Sequence, residues 1–167
     1  MSGGPVRGRV ITLEGGEGAG KSTQVARLAT TLRSLGLAVC TTREPGGAPS
    51  AEIIRSLLVE GEPGRWQPMT EALLHFAARS EHVHAVIKPA LAAGEWVICD
   101  RFIDSTMAYQ GYGHQLGRET ISALARAVLG SFQPDLTLIL DLPVDAGLTR
   151  AATRRGHETR YERMDRA

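Results

Sequence analysis

Four short apolar runs, separated by longer segments with helical periodicity, constrain the fold of this chain more than any other feature of its sequence. The runs cover residues 10–13, 37–40, 96–99 and 136–140. Because they are almost continuously apolar, they predict strands that are covered on both faces, as in a parallel sheet. We therefore predict an α/β protein in which helices lie on both faces of a parallel sheet.

The segments between the apolar runs predict the helices of this fold. The predicted ranges are 21–35, 50–59, 71–93, 118–129 and 144–153. The third range is either one long helix or two consecutive ones. A chain of 167 residues is an ordinary size for one domain, and the sequence has no long flexible linker. Residues 1–167 are therefore predicted to form a single domain.

The composition excludes several classes of protein. It is 43% hydrophobic and 22% charged, as in a globular domain, and no apolar run approaches the roughly 18 residues of a membrane span. The N-terminus has no apolar segment of signal-peptide length. Cys40 and Cys99 each end an apolar run, which favours reduced thiols over a disulfide framework. These features predict a cytoplasmic protein with no membrane partner.

A glycine-rich stretch lies between the first predicted strand and the first predicted helix. Residues 15–22 fit the P-loop pattern G-x-x-x-x-G-K-S/T. Glycines let successive N–H groups and the helix N-terminus approach phosphate oxygens. Lys21 is therefore predicted to bind the β and γ phosphates of ATP, and Ser22 to coordinate Mg²⁺. The alternative is an ordinary glycine-rich turn.

The predicted ATP-binding residues share this loop and the first turn of the helix. They are Gly15, Gly16, Glu17, Gly18, Ala19, Gly20, Lys21, Ser22 and Thr23. Such a loop indicates nucleotide binding but does not identify the second substrate, because the same fold serves many activities.

Asp100 and Arg101 follow the third apolar run, at the edge of the sheet where ligands of open α/β folds bind. Arg101 can contact a phosphate through two N–H groups. Asp100 can hold a water molecule on the metal ion, so it joins Ser22 as a predicted metal ligand. We predict that Lys21, Asp100 and Arg101 are catalytic. The alternative is a structural Asp–Arg pair at the end of a strand.

Four further motifs accompany the glycine-rich loop. They are Thr-Arg-Glu-Pro-Gly-Gly at 42–47, Leu-His-Phe-Ala-Ala-Arg at 74–79, Asp-Arg-Phe at 100–102 and Ser-Thr-Met-Ala-Tyr-Gln-Gly at 105–111. With these motifs the sequence closely resembles the bacterial thymidylate kinases from about Val10 onward. The resemblance implies a P-loop NTPase-type fold and Mg²⁺-dependent transfer of the γ-phosphoryl group of ATP to dTMP. The products would be dTDP and ADP in dTTP biosynthesis, and the enzyme would be a homodimer.

The resemblance assigns the phosphate and sugar of dTMP to four side chains. Arg43, directed by the Pro-Gly-Gly turn that follows, and Arg101 would bind the phosphate. For Arg43 the alternative is an ion pair with Glu44. Glu17 would hydrogen-bond the 3′-hydroxyl, unless it is a solvent-exposed loop carboxylate. Tyr109 would lie where a 2′-hydroxyl would sit, which favours deoxyribose.

The resemblance assigns the base of dTMP to residues in two predicted helical segments. Phe76 and Arg79 are three residues apart and share a helix face. Phe76 would stack on thymine, and Arg79 would hydrogen-bond its O4 side. Ser105 and Gln110 would contact the pyrimidine. The alternatives are a core position for Phe76 and a solvated helix face for Ser105, Tyr109 and Gln110.

Residues 150–167 contain six arginines and three acidic residues. Thymidylate kinases carry a catalytic basic residue either in the P-loop or in a mobile lid, and Gly18-Ala19 leaves this P-loop without one. The resemblance therefore implies a lid at about 150–163, with Arg154 or Arg155 as the catalytic arginine. The alternative is a solvated basic helix. Because the family's final strand, adenine-side loop and last helix are missing here, we expect the C-terminal part of the fold to be missing.

Other functions remain as alternatives. Another nucleoside monophosphate or deoxynucleoside kinase would share the P-loop, the Asp-Arg element and the lid. A non-catalytic nucleotide-binding switch would share the P-loop, although the sequence has no Asn-Lys-x-Asp base-reading motif. A nucleic-acid partner is not expected, because the net charge is only +1.

No histidine is required as a general base, because a phosphate monoester oxygen is already ionised. The histidines are therefore predicted to be surface or packing residues. For His82 and His84 the alternative is metal binding.

Overall fold

The structure, a computed structural model, describes residues 7–62 and 64–152. Within these residues the sheet has four strands, and all of their pairings are parallel. The strands are β1 (Val10–Glu14), β2 (Val39–Arg43), β3 (Trp96–Asp100) and β4 (Leu136–Ile139), arranged in the order β2-β3-β1-β4. The predicted parallel sheet is confirmed. Helical segments connect successive strands, as parallel pairing requires.

Helices fill the intervals between the strands. They are α1 (Lys21–Ser34), α2 (Pro49–Val59), α3 (Pro68–His82), α4 (Lys88–Ala92), α5 (Ile103–Thr106), α6 (Arg118–Leu129) and α7 (Val144–Ala152). Two π-helical segments, Val83–Ile87 and Met107–Gly113, follow α3 and α5. None of the helices within 7–62 and 64–152 combines the length and apolar character needed to cross a membrane.

The sheet separates two hydrophobic clusters. The cluster facing α1 contains Ile11, Leu13, Val25, Ala29 and Ile98. The cluster on the opposite face contains Val10, Val83, Ile87, Val97 and Phe102. Neighbouring strand residues alternate between the two clusters, as the period of two in a strand dictates. Helical segments therefore cover both faces of the sheet, as predicted.

The second strand was predicted over 37–40 and is wrong in its bounds, because β2 runs from Val39 to Arg43. Thr41 and Thr42 pair in register with β3 and extend the strand beyond its apolar part. β-Branched threonines favour this extended conformation. Arg43 is therefore the last residue of β2.

The helix predicted over 71–93 is three consecutive segments. The first segment, α3, begins at Pro68. Proline suits the first turn of a helix, because an N–H group at that position has no partner within the helix. The π-helical segment Val83–Ile87 then separates α3 from α4. The predicted ranges 21–35, 50–59, 118–129 and 144–153 agree with α1, α2, α6 and α7 to within a residue, up to Ala152.

The carboxyl ends of β1, β2 and β3 meet at one edge of the sheet. Leu13 and Arg43 are both in register with Asp100. Residues in register direct their side chains to the same face of a sheet. Arg43 and Asp100 therefore leave the sheet on the face that α1 covers, and the P-loop starts beside them, directly after Glu14.

Candidate active site

The P-loop begins directly after β1 and ends where α1 begins. Gly18 and Gly20 have φ angles of 71° and 90°, in the left-handed region that glycine adopts without strain. The Nζ atom of Lys21 lies inside the loop and donates hydrogen bonds of 2.8 Å to the carbonyl oxygens of Gly15 and Gly16. Burial lowers the pKa of Lys21. Its ammonium group therefore lies among the backbone groups that a P-loop offers to phosphates.

Ser22 and Asp100 meet at the amino end of α1. The Ser22 Oγ atom donates a 2.6 Å hydrogen bond to Asp100 Oδ2. Mg²⁺ prefers oxygen ligands and commonly takes one or two from protein, completing its shell with water and phosphate oxygens. In the part of the chain that the structure describes, no group of three or more His, Cys, Asp or Glu side chains could hold a metal ion. The hydroxyl oxygen of Ser22 and the carboxylate of Asp100 are hard oxygen donors of the kind that Mg²⁺ prefers.

Arg101 lies beside the start of the P-loop. Its φ of 70° is a left-handed conformation, which is uncommon for a residue other than glycine. Nη1 donates to Ser105 Oγ at 2.9 Å and to the Gly15 carbonyl at 3.4 Å, and Nη2 donates to the Glu17 carboxylate. The guanidinium carbon is 5.5 Å from the centre of the Tyr109 ring. The structure thus brings Glu17, Arg101, Ser105 and Tyr109 together, and their contacts with a substrate stay predictions.

Glu14, the last residue of β1, belongs to this site although no motif indicated it. Its side chain is buried, and Oε1 accepts a hydrogen bond of 2.6 Å from the Phe102 N–H group. Oε2 accepts another of 2.6 Å from Ser105 Oγ. Burial raises the pKa of Glu14, and these hydrogen bonds oppose the rise. The signal available in the sequence was a carboxylate that ends an otherwise apolar strand.

Arg79 is only 2% exposed on α3 and is held by several partners. Nε donates to Glu44 Oε2 at 2.6 Å, and Nη2 donates to Thr106 Oγ1 and the Phe102 carbonyl at 3.0 Å each. Nη1 is buried without a hydrogen-bond partner among residues 7–62 and 64–152. An unpaired buried N–H group is costly, and an acceptor within reach of Nη1 would remove that cost. Thr106, beside it, was not among the predicted site residues.

Phe76 and Arg79 share a helix face, as predicted. The guanidinium carbon of Arg79 is 5.0 Å from the centre of the Phe76 ring. The Phe76 side chain is 1% exposed and packs in a cluster with Ala72 and Ile121. The structure therefore favours the core position that the sequence left open for Phe76. A stacking contact with a base stays a prediction.

Arg43 lies at the edge of the site. Its side chain is 52% exposed and pairs with Glu52 Oε2 at 3.0 Å. The alternative pairing with Glu44 is wrong, because alternation along the chain directs Glu44 to the opposite face, where it contacts Arg79. The contact of Arg43 with a substrate phosphate stays a prediction.

Gln110 faces the interior of the protein. It is 1% exposed, and its Nε2 donates a 2.8 Å hydrogen bond to Glu71 Oε1. The alternative of a solvated helix face is therefore wrong for Gln110. Its contact with the pyrimidine stays a prediction.

His82 is a buried polar residue and not a surface residue. Its Nδ1 lies 2.9 Å from Glu44 Oε1, and its Nε2 lies 2.6 Å from Thr42 Oγ1. The Nδ1 of His84 lies 2.9 Å from the Ser80 carbonyl of its own helical segment. Because both ring nitrogens of His82 have protein partners, the metal-binding alternative for His82 and His84 has no support here.

The predicted catalytic arginines Arg154 and Arg155 lie outside the described residues, as does most of the predicted lid. The helix that precedes them, α7, packs directly on the P-loop. A Cβ atom built on Gly147 would lie 2.5 Å from the Glu17 carbonyl oxygen. One built on Gly18 would lie 2.1 Å from the Gly147 carbonyl oxygen. The backbone of α7 at Gly147 therefore packs against the backbone of the P-loop at Glu17 and Gly18, with no space for a side chain between them.

A P-loop between a buried parallel strand and a helix, with an arginine beside the first residue of the loop, is the arrangement of a P-loop nucleotide-binding protein. A family model described as thymidylate kinase matches residues 13–166. This chain belongs to the thymidylate kinase family, whose members are enzymes that transfer a phosphoryl group from ATP to dTMP.

Individual relatives agree with the family model. The chain is 55% identical over 153 residues to a thymidylate kinase from Bradyrhizobium sp. strain BTAi1, covering 92% of this chain and 68% of that protein. It is 57% identical over 156 residues to a thymidylate kinase from Caulobacter vibrioides, covering 93% and 74%. The crystal structure of thymidylate kinase from Ehrlichia chaffeensis matches with a TM-score of 0.75 and 39% identity, covering 86% of this chain and 76% of that one.

Proposed function

We propose that this chain transfers the γ-phosphoryl group of ATP to dTMP with Mg²⁺, as a single-domain cytoplasmic homodimer, and that Arg101 holds the dTMP phosphate beside the P-loop. The observation that carries this proposal is the contact between Arg101 and the start of the loop. Nη1 of Arg101 is 3.4 Å from the Gly15 carbonyl, to which Lys21 also donates. Two phosphate-binding cations therefore converge at one end of the ATP loop.

On the donor side, the amides of residues 15–20 and the N-terminus of α1, including Thr23, would bind the phosphates of ATP. Lys21 would exchange its two carbonyl partners for β and γ phosphate oxygens. Ser22 and Asp100 would hold Mg²⁺, which offsets phosphate charge when it is bound. The hydrogen bond between these two residues already places their oxygens together.

On the acceptor side, Arg101 and Arg43 would bind the dTMP phosphate, and Tyr109 would contact the sugar. Glu17 would accept a hydrogen bond from the 3′-hydroxyl. In the structure an ion pair with Arg101 holds the Glu17 carboxylate in place. The carboxylate would therefore already be positioned when dTMP binds. A phosphate oxygen needs no general base, so alignment and charge neutralisation supply the rate acceleration.

The unpaired Nη1 of Arg79 supports recognition of the base. Guanidinium groups only donate hydrogen bonds, so this atom requires an acceptor such as the O4 atom of thymine. Thr106 accepts from Nη2 of the same guanidinium, which leaves its own hydroxyl hydrogen for a second partner. Phe76 would lie against this guanidinium and the base, and Gln110 would contact the pyrimidine.

Arg154 or Arg155 would supply the charge that the P-loop lacks at Gly18-Ala19. Both follow α7 in the sequence, outside the described residues. The close approach of Gly147 to the P-loop backbone supports this assignment, because it places the preceding helix against the loop. Closing a lid of this kind excludes water from the transferred group.

Exposed apolar side chains on two helices that pack together support the homodimer. Ile53 on α2 is 70% exposed, and Met69 and Leu73 on α3 are 40% and 50% exposed. Burial of such side chains drives association. Light scattering after size exclusion should give twice the mass of one chain, and a monomer at micromolar concentration would contradict this part of the proposal.

The experiment that tests the proposed reaction is a coupled assay of ADP release with a panel of acceptors. We expect dTMP to exceed CMP, UMP and thymidine in kcat/KM, and we expect the rate to require Mg²⁺. A rate with CMP, UMP or thymidine that equals the rate with dTMP would favour another nucleotide or nucleoside kinase. ATP binding without phosphoryl transfer to any acceptor would favour a switch.

A further inference from the structure

We infer that Glu14 is a positioning residue for Arg101 and that it acts through the hydroxyl group of Ser105. The inference rests on the proposed function, in which Arg101 holds the phosphate of dTMP. It changes the assignment of Ser105, which the resemblance to thymidylate kinases placed against the pyrimidine.

The three side chains form a chain of hydrogen bonds with one possible direction. A guanidinium group only donates and a carboxylate only accepts. Ser105 Oγ must therefore accept from Arg101 Nη1, at 2.9 Å, and donate to Glu14 Oε2, at 2.6 Å. The carboxylate thereby sets the direction of the Ser105 hydroxyl, and the hydroxyl fixes the position of the guanidinium.

Glu14 also fixes the backbone next to Arg101. Its other oxygen, Oε1, accepts from the N–H group of Phe102, the residue after Arg101. The Arg101 N–H group donates to the Leu13 carbonyl at 2.9 Å. These bonds hold the φ of 70° that Arg101 adopts, which a residue with a Cβ atom does not favour. Backbone and side chain of Arg101 are thus both tied to the end of β1.

Glu14 lies between the proposed binding elements for the two substrates. It is followed directly by Gly15, the first residue of the P-loop, so the same strand end carries the ATP loop and holds the dTMP arginine. Glu14 is 4% exposed, and burying a carboxylate carries a cost in free energy. A structural core position would be filled more favourably by an apolar side chain, whereas hydrogen bonds to Phe102 and Ser105 require the carboxylate.

The test compares Glu14→Gln, Ser105→Ala and the double variant by steady-state kinetics. In Glu14→Gln one acceptor oxygen remains for two donors, so either the Ser105 hydroxyl or the Phe102 N–H group loses its acceptor and faces an amide NH2 group. We expect kcat/KM for dTMP to fall roughly 10- to 100-fold in each single variant, with the KM for ATP changed less than about 3-fold. The double variant should lose no more than the larger single loss, since both changes break one chain.

Asp104→Asn is the matched control. Asp104 is exposed and its charge acts on Glu14, but it is not part of the hydrogen-bond chain. This variant should keep the kcat/KM of the unmodified protein, which separates loss of hydrogen-bond geometry from loss of a nearby negative charge. If Asp104→Asn is as impaired as Glu14→Gln, charge alone explains the effect and the inference is wrong.

Arg101→Lys separates the inference from the proposed function. If it leaves kcat/KM for dTMP unchanged, the proposed role of Arg101 is wrong. If it lowers kcat/KM while Glu14→Gln and Ser105→Ala do not, or if their losses multiply, the positioning role of Glu14 is wrong and the proposed function stands. If thermal unfolding shows that Glu14→Gln does not fold, Ser105→Ala decides the question. A fall in its kcat/KM for dTMP with an unchanged KM for ATP would support the inference, and an unchanged kcat/KM for dTMP would contradict it.

Discussion

The Oγ atom of Ser22 donates a 2.6 Å hydrogen bond to Oδ2 of Asp100, a residue 78 positions further along the chain. Ser22 is the second residue of α1, and Asp100 is the last residue of β3. The fold, and not the local sequence, therefore brings them together. The oxygen atoms of two proposed Mg²⁺ ligands are thereby placed side by side. Such preorganisation reduces the entropy that binding must offset.

Removal of the Ser22 hydroxyl should weaken metal use. We expect Ser22→Ala to raise the Mg²⁺ concentration at half-maximal rate roughly 10- to 100-fold. Ser22→Thr keeps a hydroxyl group at the same position and is the matched control. The measurement is the initial rate of ADP release across a Mg²⁺ titration at saturating ATP and dTMP. Identical titration curves for the alanine and threonine variants would contradict the metal role.

The buried pair of Glu44 and Arg79 should matter for stability. Their side chains are 4% and 2% exposed, and the bond between them is 2.6 Å. Removing one member of such a pair leaves an uncompensated buried charge, so Glu44→Gln should lower the free energy of unfolding by about 3–5 kcal/mol. Urea unfolding followed by circular dichroism measures the loss.

Two further variants serve as controls for the Glu44→Gln measurement. The exposed pair of Arg43 and Glu52 provides a surface control, and Arg43→Gln should cost less than about 1 kcal/mol. The combination of Glu44→Gln with Arg79→Met removes both buried charges and should recover part of the lost stability. If the double variant is less stable than Glu44→Gln alone, the buried charge is not the cause of the loss.

Gly147 should not tolerate alanine. Helix propensity alone predicts that Gly147→Ala stabilises α7 by about 1 kcal/mol. The added Cβ atom would lie 2.5 Å from the Glu17 carbonyl oxygen, so the helix and the P-loop must move apart. We expect a net loss of about 1–3 kcal/mol and weaker ATP binding, measured by thermal unfolding and titration calorimetry. Thr149→Ala, at an exposed position of α7, is the control and should bind ATP normally.

Asp135 should stabilise the protein in a pH-dependent way. Its carboxylate accepts hydrogen bonds from the Val10 N–H group at 2.8 Å and from Arg9 Nη1 at 2.9 Å. The first of these bonds, with help from Arg9, lowers the pKa of Asp135 below its ordinary value of 3.8. A carboxyl group with a lowered pKa in the folded state adds stability above its ordinary pKa, and this stability is lost as the pH falls through the folded value.

We therefore expect Asp135→Asn to lower the free energy of unfolding by up to about 1 kcal/mol at pH 7, because the side chain is partly exposed. The difference should shrink as the pH falls below about 4, where the unfolded carboxyl group becomes protonated. Urea unfolding of both proteins at a series of pH values measures it. A difference that is the same at every pH would show that packing, and not ionisation, is responsible.

Much of the fold could be predicted because its signals are local. The apolar runs predicted the strands, and the interval between the first two predicted α1 from Lys21 onward. The second strand was placed too early because Thr41 and Thr42 carry no apolar signal, and pairing with β3 decides their conformation. Helix periodicity likewise missed the π-helical segment at 83–87, because a segment of five residues is too short to show a separate period in the sequence.

The site was less predictable, because its side chains depend on partners that are remote in sequence. The spacing placed Arg79 on one helix face with Phe76, and the family resemblance assigned that face to the base. The burial of Arg79 against Glu44 and Thr106 required three segments to pack together. The positive φ of Arg101 has no sequence signal, since glycine and asparagine are the residues that usually indicate it.

The sequence by itself determined the strand, the phosphate loop and the helix that follows it, because consecutive residues supply both the loop and its amide groups. It also determined which side chains are able to bind phosphate and metal. The tertiary structure decided which of these meet: the order β2-β3-β1-β4 places Asp100 and Arg101 beside the end of β1. Hydrogen bonds act only over about 3 Å, so a partner 78 or 91 positions away is selected by strand order and packing and not by the local sequence.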